Sequence, residues 1–458
     1  MQYKSATQGT MIRITAVGNI KILWINFHYE TFATYYYLRN MRFTLIILLI
    51  VVHTVQALAQ QTIKGTVVNP VTQQPIAGAS VFLTNTSKGG STNKDGYFEI
   101  TDIKPGKYEL ITTSVGFETS VFSFSSEELP LKLRIEMKTK ITELDNVVLE
   151  PFVEEGWDKW GNTFMSSFIG KNTNAKDCKL KNHKDIRFRF YKKTNRLEAI
   201  ADKPLIIENN ALGYKIEYQL EAFEIKFKEG STTYYGYTLF TQLGNQDKDP
   251  KKRWVKARDK AYYGSMKHFF TALYNNKLLE EGFEVRRMVK HPNLEKQRVR
   301  KLGPSVLGGS GNIFVSSRDK NLVKKDSVQN VITGQDSSEY YRRILRQKDF
   351  IEEYSPHFVT LDSLTIGKDG IFNVIYFPNY LYVTYKKGME DQAYLDYFSE
   401  RRKPFYQRSL IFITEEIPLL IGPDGSYFYP DKLLATAWWG FQEKMSTMLP
   451  TDYEPGEQ

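Results

Sequence analysis

The stretch STNKDGYFEI, residues 91–100, admits two readings. Asn93, Asp95 and Gly96 could open a calcium loop, because oxygen ligands at alternate positions hold a hard cation. Asp95-Gly96 could instead be the tip of a β-hairpin, with Tyr97, Phe98 and Ile100 beginning the next strand. A calcium loop between helices needs a bidentate acid at its twelfth position. Counted from Asn93 that position is Lys104, and no helical period flanks the loop. A tight turn needs a residue that accepts positive φ, and glycine does so at little steric cost. The turn reading prevails.

Working outward, short apolar runs recur on both sides of that turn. They fall at 62–68, 79–85, 97–100, 108–115, 119–124 and 131–137. Asn69-Pro70, Gln74-Pro75, Gly89-Gly90 and Lys104-Pro105-Gly106 break them. Strands of four to seven residues at this spacing predict an all-β, antiparallel sandwich.

Gly65-Thr66-Val67, the run from Pro75 to Val81, the Thr92 to Phe98 turn, the Pro105 to Tyr108 corner and Gly116-Phe117 form one pattern. In these features residues 62–137 resemble the carboxypeptidase-regulatory-like domain, a prealbumin-like β-sandwich. The resemblance implies a spacer, docking or binding module rather than carboxypeptidase activity. Such domains stand at the N-terminus of many envelope proteins of Bacteroidetes type, TonB-dependent transporters among them. ITELDNVVL at 141–149 looks like the segment that joins this domain to a transporter's plug. A barrel of roughly 22 strands would need well over 200 strand residues before loops. Only 309 residues follow Leu149, and they include helical patterns. A transporter is excluded on length.

Upstream, MRFTLIILLIVVHTVQALAQQ (residues 41–61) has the form of a cleavable signal peptide. Arg42 gives the positive start, 43–52 the apolar stretch, and Ala57-Leu58-Ala59 the small-residue site, with cleavage expected between Ala59 and Gln60. About ten apolar residues are too few to span a bilayer of roughly 30 Å as a helix. Residues 1–40 read as upstream sequence from a wrong start. Residues 1–59 carry five bases (Lys4, Arg13, Lys21, Arg39, Arg42) and one acid (Glu30), so their loss takes the formal charge from +10 to +6. That mild surplus does not call for a nucleic-acid partner. Cys178 is the only cysteine, so no internal disulfide can form and no lipid acceptor follows the cleavage site.

After the sandwich and a linker expected at 141–161, residues 162–458 predict an α+β domain rich in antiparallel strands. Strands are expected at 185–191, 196–201, 205–208, 214–228 and 232–242. Lys215, Glu217, Gln219 and Glu221 alternate with Ile216, Tyr218 and Leu220, which argues one wet face. Residues 150–159 read as a junction and 163–169 as a short amphipathic helix. Helices are expected at 249–263 and at 265–281, the second capped by Ser265 and stopped by Gly282. The polar stretch 301–336 reads as loop, with a strand at 312–316. Strands resume at 358–364, 372–377, 381–385 and 409–413, and 430–449 reads as a helix bearing Trp438 and Trp439. The segments at 162–168, 204–220 and 448–455 resemble uncharacterised Bacteroidetes proteins that carry the same N-terminal sandwich, a family without an assigned reaction.

The residue types that carry chemistry are scattered. Of the histidines, His183, His268, His291 and His357 remain after the signal, and none lies three or four residues from another. No metal or cofactor is expected, and Cys178 reads as a small buried hydrophobe. Gly308-Gly309-Ser310-Gly311 lacks the spacing of a nucleophile elbow. Glu280-Glu281 and Glu415-Glu416 are adjacent pairs whose members point apart. Basic groups at 251–253, 286–287, 296–301, 342–343 and 401–403 are solvated faces or contacts to anionic lipid or polysaccharide. Tyr234, Tyr235 and Tyr237 read as strand packing rather than a sugar platform. No catalytic residue is assigned. The expected role is a non-catalytic binding or scaffolding protein of the periplasm or outer membrane, with an envelope protein or polysaccharide as partner and peripheral membrane contact as an option. The alternative is a carbohydrate-active hydrolase or a polysaccharide-binding accessory protein.

Overall fold

The computed structural model describes residues 61–140, 150–244, 251–302, 334–428 and 432–456. The signal segment with its Ala59/Gln60 junction, residues 1–40, the 141–149 segment, the glycine-rich stretch at 308–311 and the strand expected at 312–316 lie outside the described residues.

The first seven strands are β1 (Ile63–Val68), β2 (Ser80–Leu83), β3 (Gly89–Ser91), β4 (Tyr97–Ile100), β5 (Lys107–Thr113), β6 (Ser120–Ser125) and β7 (Leu131–Glu136). They form two facing sheets, ordered β4-β1-β7 and β3-β2-β5-β6. Alternate residues point inward, so Ile63, Val67, Val81, Leu83, Phe98, Leu110, Phe124 and Ile135 share one core. This is the expected sandwich, with two departures. β7 runs parallel to β1, so the pairing is not antiparallel throughout. Gly89-Gly90 is not a break but part of β3, with Gly89 opposite Phe82. A Cβ on Gly89 would come within 2.3 Å of the Phe82 Cβ, so this glycine allows close approach.

The Asp95-Gly96 turn joins β3 of one sheet to β4 of the other, so it crosses between sheets instead of tipping a hairpin. Asn93 Oδ1 accepts the Asp95 and Tyr97 backbone N–H groups at 2.9 and 2.8 Å. Gly96 takes φ of +70°. The oxygen that the calcium reading requires is occupied in holding the turn.

Beyond residue 149 two further cores form. The first is closed by β8 (Val153–Glu155), β9 (Cys178–Leu180), β10 (Ile186–Tyr191), β11 (Arg196–Ala201), β12 (Leu205–Asn209), β13 (Tyr214–Lys226) and β14 (Ser231–Gln242). These make a seven-stranded antiparallel sheet on which α1 (Trp157–Phe168) lies. Phe164 and Phe168 of α1 pack on Phe188, Leu197, Ile216, Tyr218 and Phe223. The helix is longer than expected and starts inside the stretch read as a junction, because Gly156 in an extended conformation opens it before Trp157.

Helices α2 (Lys252–Tyr262) and α3 (Met266–Tyr274) lead into the second core. Ser265 caps α3 as expected, its hydroxyl accepting the His268 N–H. The helix ends well before Gly282, however. Asn276 takes φ of +55°, and Asn275 is the C-cap residue.

The remaining elements are β15 (Phe283–Pro292), α4 (Leu294–Lys301), α5 (Gly334–Arg346), β16 (Phe350–Phe358), α6 (Leu361–Leu364), β17 (Thr365–Asp369), β18 (Phe372–Ile375), β19 (Tyr380–Met389), α7 (Gln392–Tyr397), β20 (Tyr406–Ile413), β21 (Leu419–Ile421), β22 (Tyr427–Phe428), β23 (Leu433–Ala437) and α8 (Trp438–Gln442). They build antiparallel sheets ordered β16-β15-β19-β20-β23 and β17-β18-β21-β22. Phe269, Phe270, Phe283, Val383, Ile411 and Trp439 fill the core between them.

Two expectations fail here. The strand at 358–364 is the end of β16 followed by the turn of α6. The helix at 430–449 begins as a strand, β23, hydrogen-bonded to β20, with α8 after it. Of the loop expected at 301–336, residues 303–333 lie outside the described residues, and at its ends Lys301 closes α4 and Gly334 opens α5. Among the described residues no helix is long and apolar enough to cross a membrane.

The sandwich is fastened to the rest of the chain along β14. Asn85 N–H donates to the Thr238 carbonyl at 2.7 Å, and Phe240 N–H to the Thr86 carbonyl at 3.0 Å. Phe82 and Ile111 of the sandwich pack against Tyr237 and Leu239. Beside this contact the C-terminal segment acts as a strap. Thr451 N–H reaches the Asn85 carbonyl at 2.7 Å, and Asp452 accepts from Ser87 N and Oγ at 3.0 and 2.5 Å. Lys104 pairs with Glu454. From the other side Lys267 donates to the carbonyls of Pro450, Thr451 and Tyr453.

Candidate functional site

A pocket of about 370 Å³ opens at the seam between the two larger cores. One wall is the outer face of α1. Asn162, Thr163, Ser166 and Ser167 fall at helical i, i+3 and i+4 spacings, opposite buried Gly161, Phe164 and Phe168. The other walls are Thr232 at the start of β14, Tyr397 at the end of α7, and Gly440 and Phe441 of α8. Lys171 and Lys444 complete it.

The pocket keeps its shape because the segment after α8 closes the end of α1. Met445 and Ser446 N–H groups donate to the Phe168 and Ile169 carbonyls, each at 3.2 Å. Those carbonyls would otherwise be left open at the helix C-terminus. Buried Asn172 and Asn209 anchor the same segment: Ser446 Oγ donates to Asn172 Oδ1 at 2.9 Å, and Asn209 Nδ2 to the Ser446 carbonyl at 2.9 Å. Gly170 sits at φ of +103° with its α-carbon so near Lys444 that a Cβ would touch that side chain at 3.0 Å. Only glycine lets Lys444 lie across the helix end.

The electrostatics are one-sided. No Asp or Glu among the described residues lines the pocket. Among the described residues neither lysine ammonium has a carboxylate within salt-bridge distance. Lys171 lies over the Tyr397 ring at 5.2 Å and Lys444 over the Tyr234 ring at 5.8 Å. Burial pulls the Lys444 ammonium below its usual range, opposed by the charge of neighbouring Glu443. The Glu443 carboxylate is engaged elsewhere, accepting the Met266 N–H at 2.9 Å. The arrangement offers hydroxyls, an amide, two cationic donors and two ring faces. That chemistry is suited to a polar, negatively charged group.

Among the described residues, none of those weighed for chemistry in the sequence lines this pocket. Cys178 is 7% exposed in the core under α1, and burial pushes its thiol up to about 12. His268, 3% exposed, packs on the rings of Tyr262, Phe283 and Tyr385; it accepts the Gly264 N–H at 3.1 Å, and its other ring nitrogen lies 3.2 Å from Glu281. His183 leans on Trp157, and His291 meets Glu353 at 2.9 Å. His357 belongs to the exposed strand β16. Glu415 pairs with Lys432.

Several of the basic groups are tied within the chain. Arg286 donates to the Ser355 and Pro356 carbonyls, Arg287 to that of Ser363, and Lys296 and Arg300 meet Asp349. Arg402 makes two hydrogen bonds to buried Glu390. Lys251 and Arg253 lie over Trp254, and Arg343 over Tyr340. Tyr234 and Tyr237 pack inward, while Tyr235 stays exposed and bonds Tyr237 through the hydroxyls at 2.6 Å. The signal that could have found the pocket was the run of small polar residues on one face of α1.

The architecture defines a class: a β-sandwich module fastened to a larger α+β body. Residues 63–149 match the model of the CarboxypepD_reg-like domain. The sandwich is therefore a carboxypeptidase-regulatory-like domain. No curated protein matches the chain.

Among solved structures, an interface mutant of a type II cohesin–X-dockerin complex from Acetivibrio cellulolyticus is 29% identical over 17% of this chain and 58% of its own, with a TM-score of 0.16. A second mutant of that complex is similar over 56% of its own length. The match thus spans little more than half of those chains. A DUF3823 family protein from Bacteroides uniformis is 13% identical over 41% of this chain and 84% of its own, with a TM-score of 0.13. A putative membrane-associated protein of unknown function from Bacteroides fragilis is 7% identical over 79% and 93%, also at 0.13. Scores this low say nothing of shared architecture, so the domain's class rests on the family match and the strand order.

Proposed function

We propose that the chain is a non-catalytic binding or scaffolding protein of the cell envelope, exported by a cleaved signal peptide. In this reading the regulatory-like sandwich is a rigid mount and the body carries the binding surface. The observation that carries it is the sandwich itself, held to β14 by backbone hydrogen bonds and strapped by residues 451–454. A mount transmits position only if it cannot swing. Binding is preferred to hydrolysis because the lining of the pocket supplies no carboxylate pair for acid–base work. A carbohydrate-active hydrolase would need one.

The test is a crosslinked pull-down from intact envelopes of the native cells, with N-terminal sequencing of the recovered chain. The expected result is a mature chain beginning near Gln60, in the envelope fraction, carrying a crosslinked envelope protein or polysaccharide. A chain that stays in the cytoplasmic fraction with residues 41–59 intact would overturn the reading.

A further inference from the structure

We infer that the pocket between α1, α7 and α8 is a binding site for one acidic sugar unit, a hexose carrying a carboxylate or a phosphate. The inference deepens the binding reading, and it names a ligand class for a site that the sandwich has no part in forming.

Size sets the first limit. A pocket of about 370 Å³ lies at the small end of the range for ligand sites, roughly 300–1,000 Å³, and suits one ring rather than a chain. Lining chemistry sets the second. Thr163, Ser166, Ser167 and Thr232 each offer a hydroxyl that can donate or accept, and Asn162 adds an amide. Such a wall matches a ligand that is itself ringed with hydroxyls. Tyr397 and Phe441 supply the flat apolar faces that pack against the C–H face of a sugar.

Charge sets the third limit. Lys171 and Lys444 reach the pocket from two segments far apart in sequence, their ammonium groups lying over the Tyr397 and Tyr234 rings. Lys444 is half-buried, and leaving such an ammonium without an anion is costly. An anionic group placed between the two would gain charge-assisted hydrogen bonds from both. A neutral sugar would leave both ammonium groups unanswered, and a bare anion would leave the hydroxyl wall unused.

Titration calorimetry on the full chain tests this with D-glucuronate, glucose 6-phosphate, glucose and inorganic phosphate. The expected result is that glucuronate or glucose 6-phosphate binds at least about tenfold more tightly than glucose and than phosphate alone, the loss typical of one missing charge-assisted contact. A preference for glucuronate would point to a uronate-bearing polysaccharide as the source, and a preference for glucose 6-phosphate to a phosphorylated glycan. Lys444→Gln and Lys171→Gln are each expected to weaken the acidic sugar about tenfold. Lys171 is exposed, so its substitution reports on binding even if the Lys444 variant folds poorly.

Equal affinity for glucose and the acidic sugars, wild-type binding in Lys171→Gln, phosphate binding as tightly as glucose 6-phosphate, or no binding of any probe would each overturn the inference. An envelope partner could still be captured in any of those cases, so the two readings fail separately.

Discussion

Replacing Leu239 by Ala and Asp452 by Ala together should release the sandwich from the body. Leu239 is 8% exposed and packs with Phe82, Ile111 and Tyr237 in a small cluster that belongs to neither main core. Truncating a buried leucine costs about 2–5 kcal/mol, and a four-residue cluster that can relax puts this one near 2–3 kcal/mol. Asp452 holds Ser87 through two hydrogen bonds in an exposed setting, worth about 1–2 kcal/mol. Against this loss of about 3–5 kcal/mol stand the Asn85–Thr238, Phe240–Thr86 and Thr451–Asn85 backbone bonds, at about 1 kcal/mol each. The double variant should therefore remove a large share of the docking energy.

Urea unfolding followed by two probes checks the result. Residues 61–140 contain no tryptophan, whereas the body holds Trp157, Trp160, Trp254, Trp438 and Trp439, so tryptophan fluorescence reports the body alone. Far-ultraviolet circular dichroism reports both parts. The wild-type transitions should coincide and those of the variant should separate. Coincident transitions within about 0.5 kcal/mol of wild type would refute the mechanical coupling, because they would leave the interface with no measurable energy.

Two further outcomes follow from single groups. Burial raises the Glu443 carboxyl from 4.5 to about 7, against the opposing Met266 N–H and Lys444 charge. The folded protein then holds a proton that the unfolded chain has lost between those values, so stability should fall as pH rises from 4.5 to 7. The fall amounts to about 2–3 kcal/mol, the lower figure allowing for the part of the residue that water reaches. Glu443→Gln keeps the acceptor for Met266 and should flatten that limb of the stability curve; an unchanged slope would sink the assignment.

Gly96→Ala would force a Cβ to within 2.6 Å of the Val67 carbonyl oxygen at a φ of +70°. The strain of positive φ and a clash with backbone together should cost about 2–4 kcal/mol. A circular-dichroism melt of the variant should show the loss as a lowered midpoint. A stability within about 0.5 kcal/mol of wild type would contradict the turn geometry.

What could be read in advance depended on whether one face of an element met water. Along β13, Lys215, Glu217 and Gln219 are half-buried while Ile216, Tyr218 and Leu220 are buried, and the alternation marks the strand plainly. β14 is buried on both faces from Tyr237 to Phe240, because the sandwich covers one side and α1 with its core the other. Its run YTLF carries no period, and Gly236 precedes it because a Cβ there would strike the Gln219 carbonyl at 2.2 Å. The strand was nonetheless expected at 232–242, whereas strand β16 was not. It is an edge strand with most side chains exposed, so its sequence, FIEEYSPHF, contains no buried stripe to reveal it.

The end of the chain shows how position in the fold overrides local preference. Leu433–Ala437 is extended because β20 offers a free edge, with Ser409 opposite Ala437 and Ile411 opposite Ala435. The tryptophans that suggested a long helix serve tertiary ends: Trp439 Nε1 donates to the Gly264 carbonyl at 2.8 Å, and its ring packs on Phe269. That packing turns the chain so that Phe441 and Lys444 meet α1 across the pocket, and Met445 and Ser446 complete the helix end. The pocket is thus assembled from residues near positions 166, 232, 397 and 444, each unremarkable in its own segment. No single window of sequence displays it whole, because Met445 and Ser446 close it from a segment that then runs on into the strap over the sandwich. Trimming the chain after Thr447 removes the strap at 451–454 but leaves Met445 and Ser446 on the end of α1, so it should loosen the sandwich while the pocket keeps its shape.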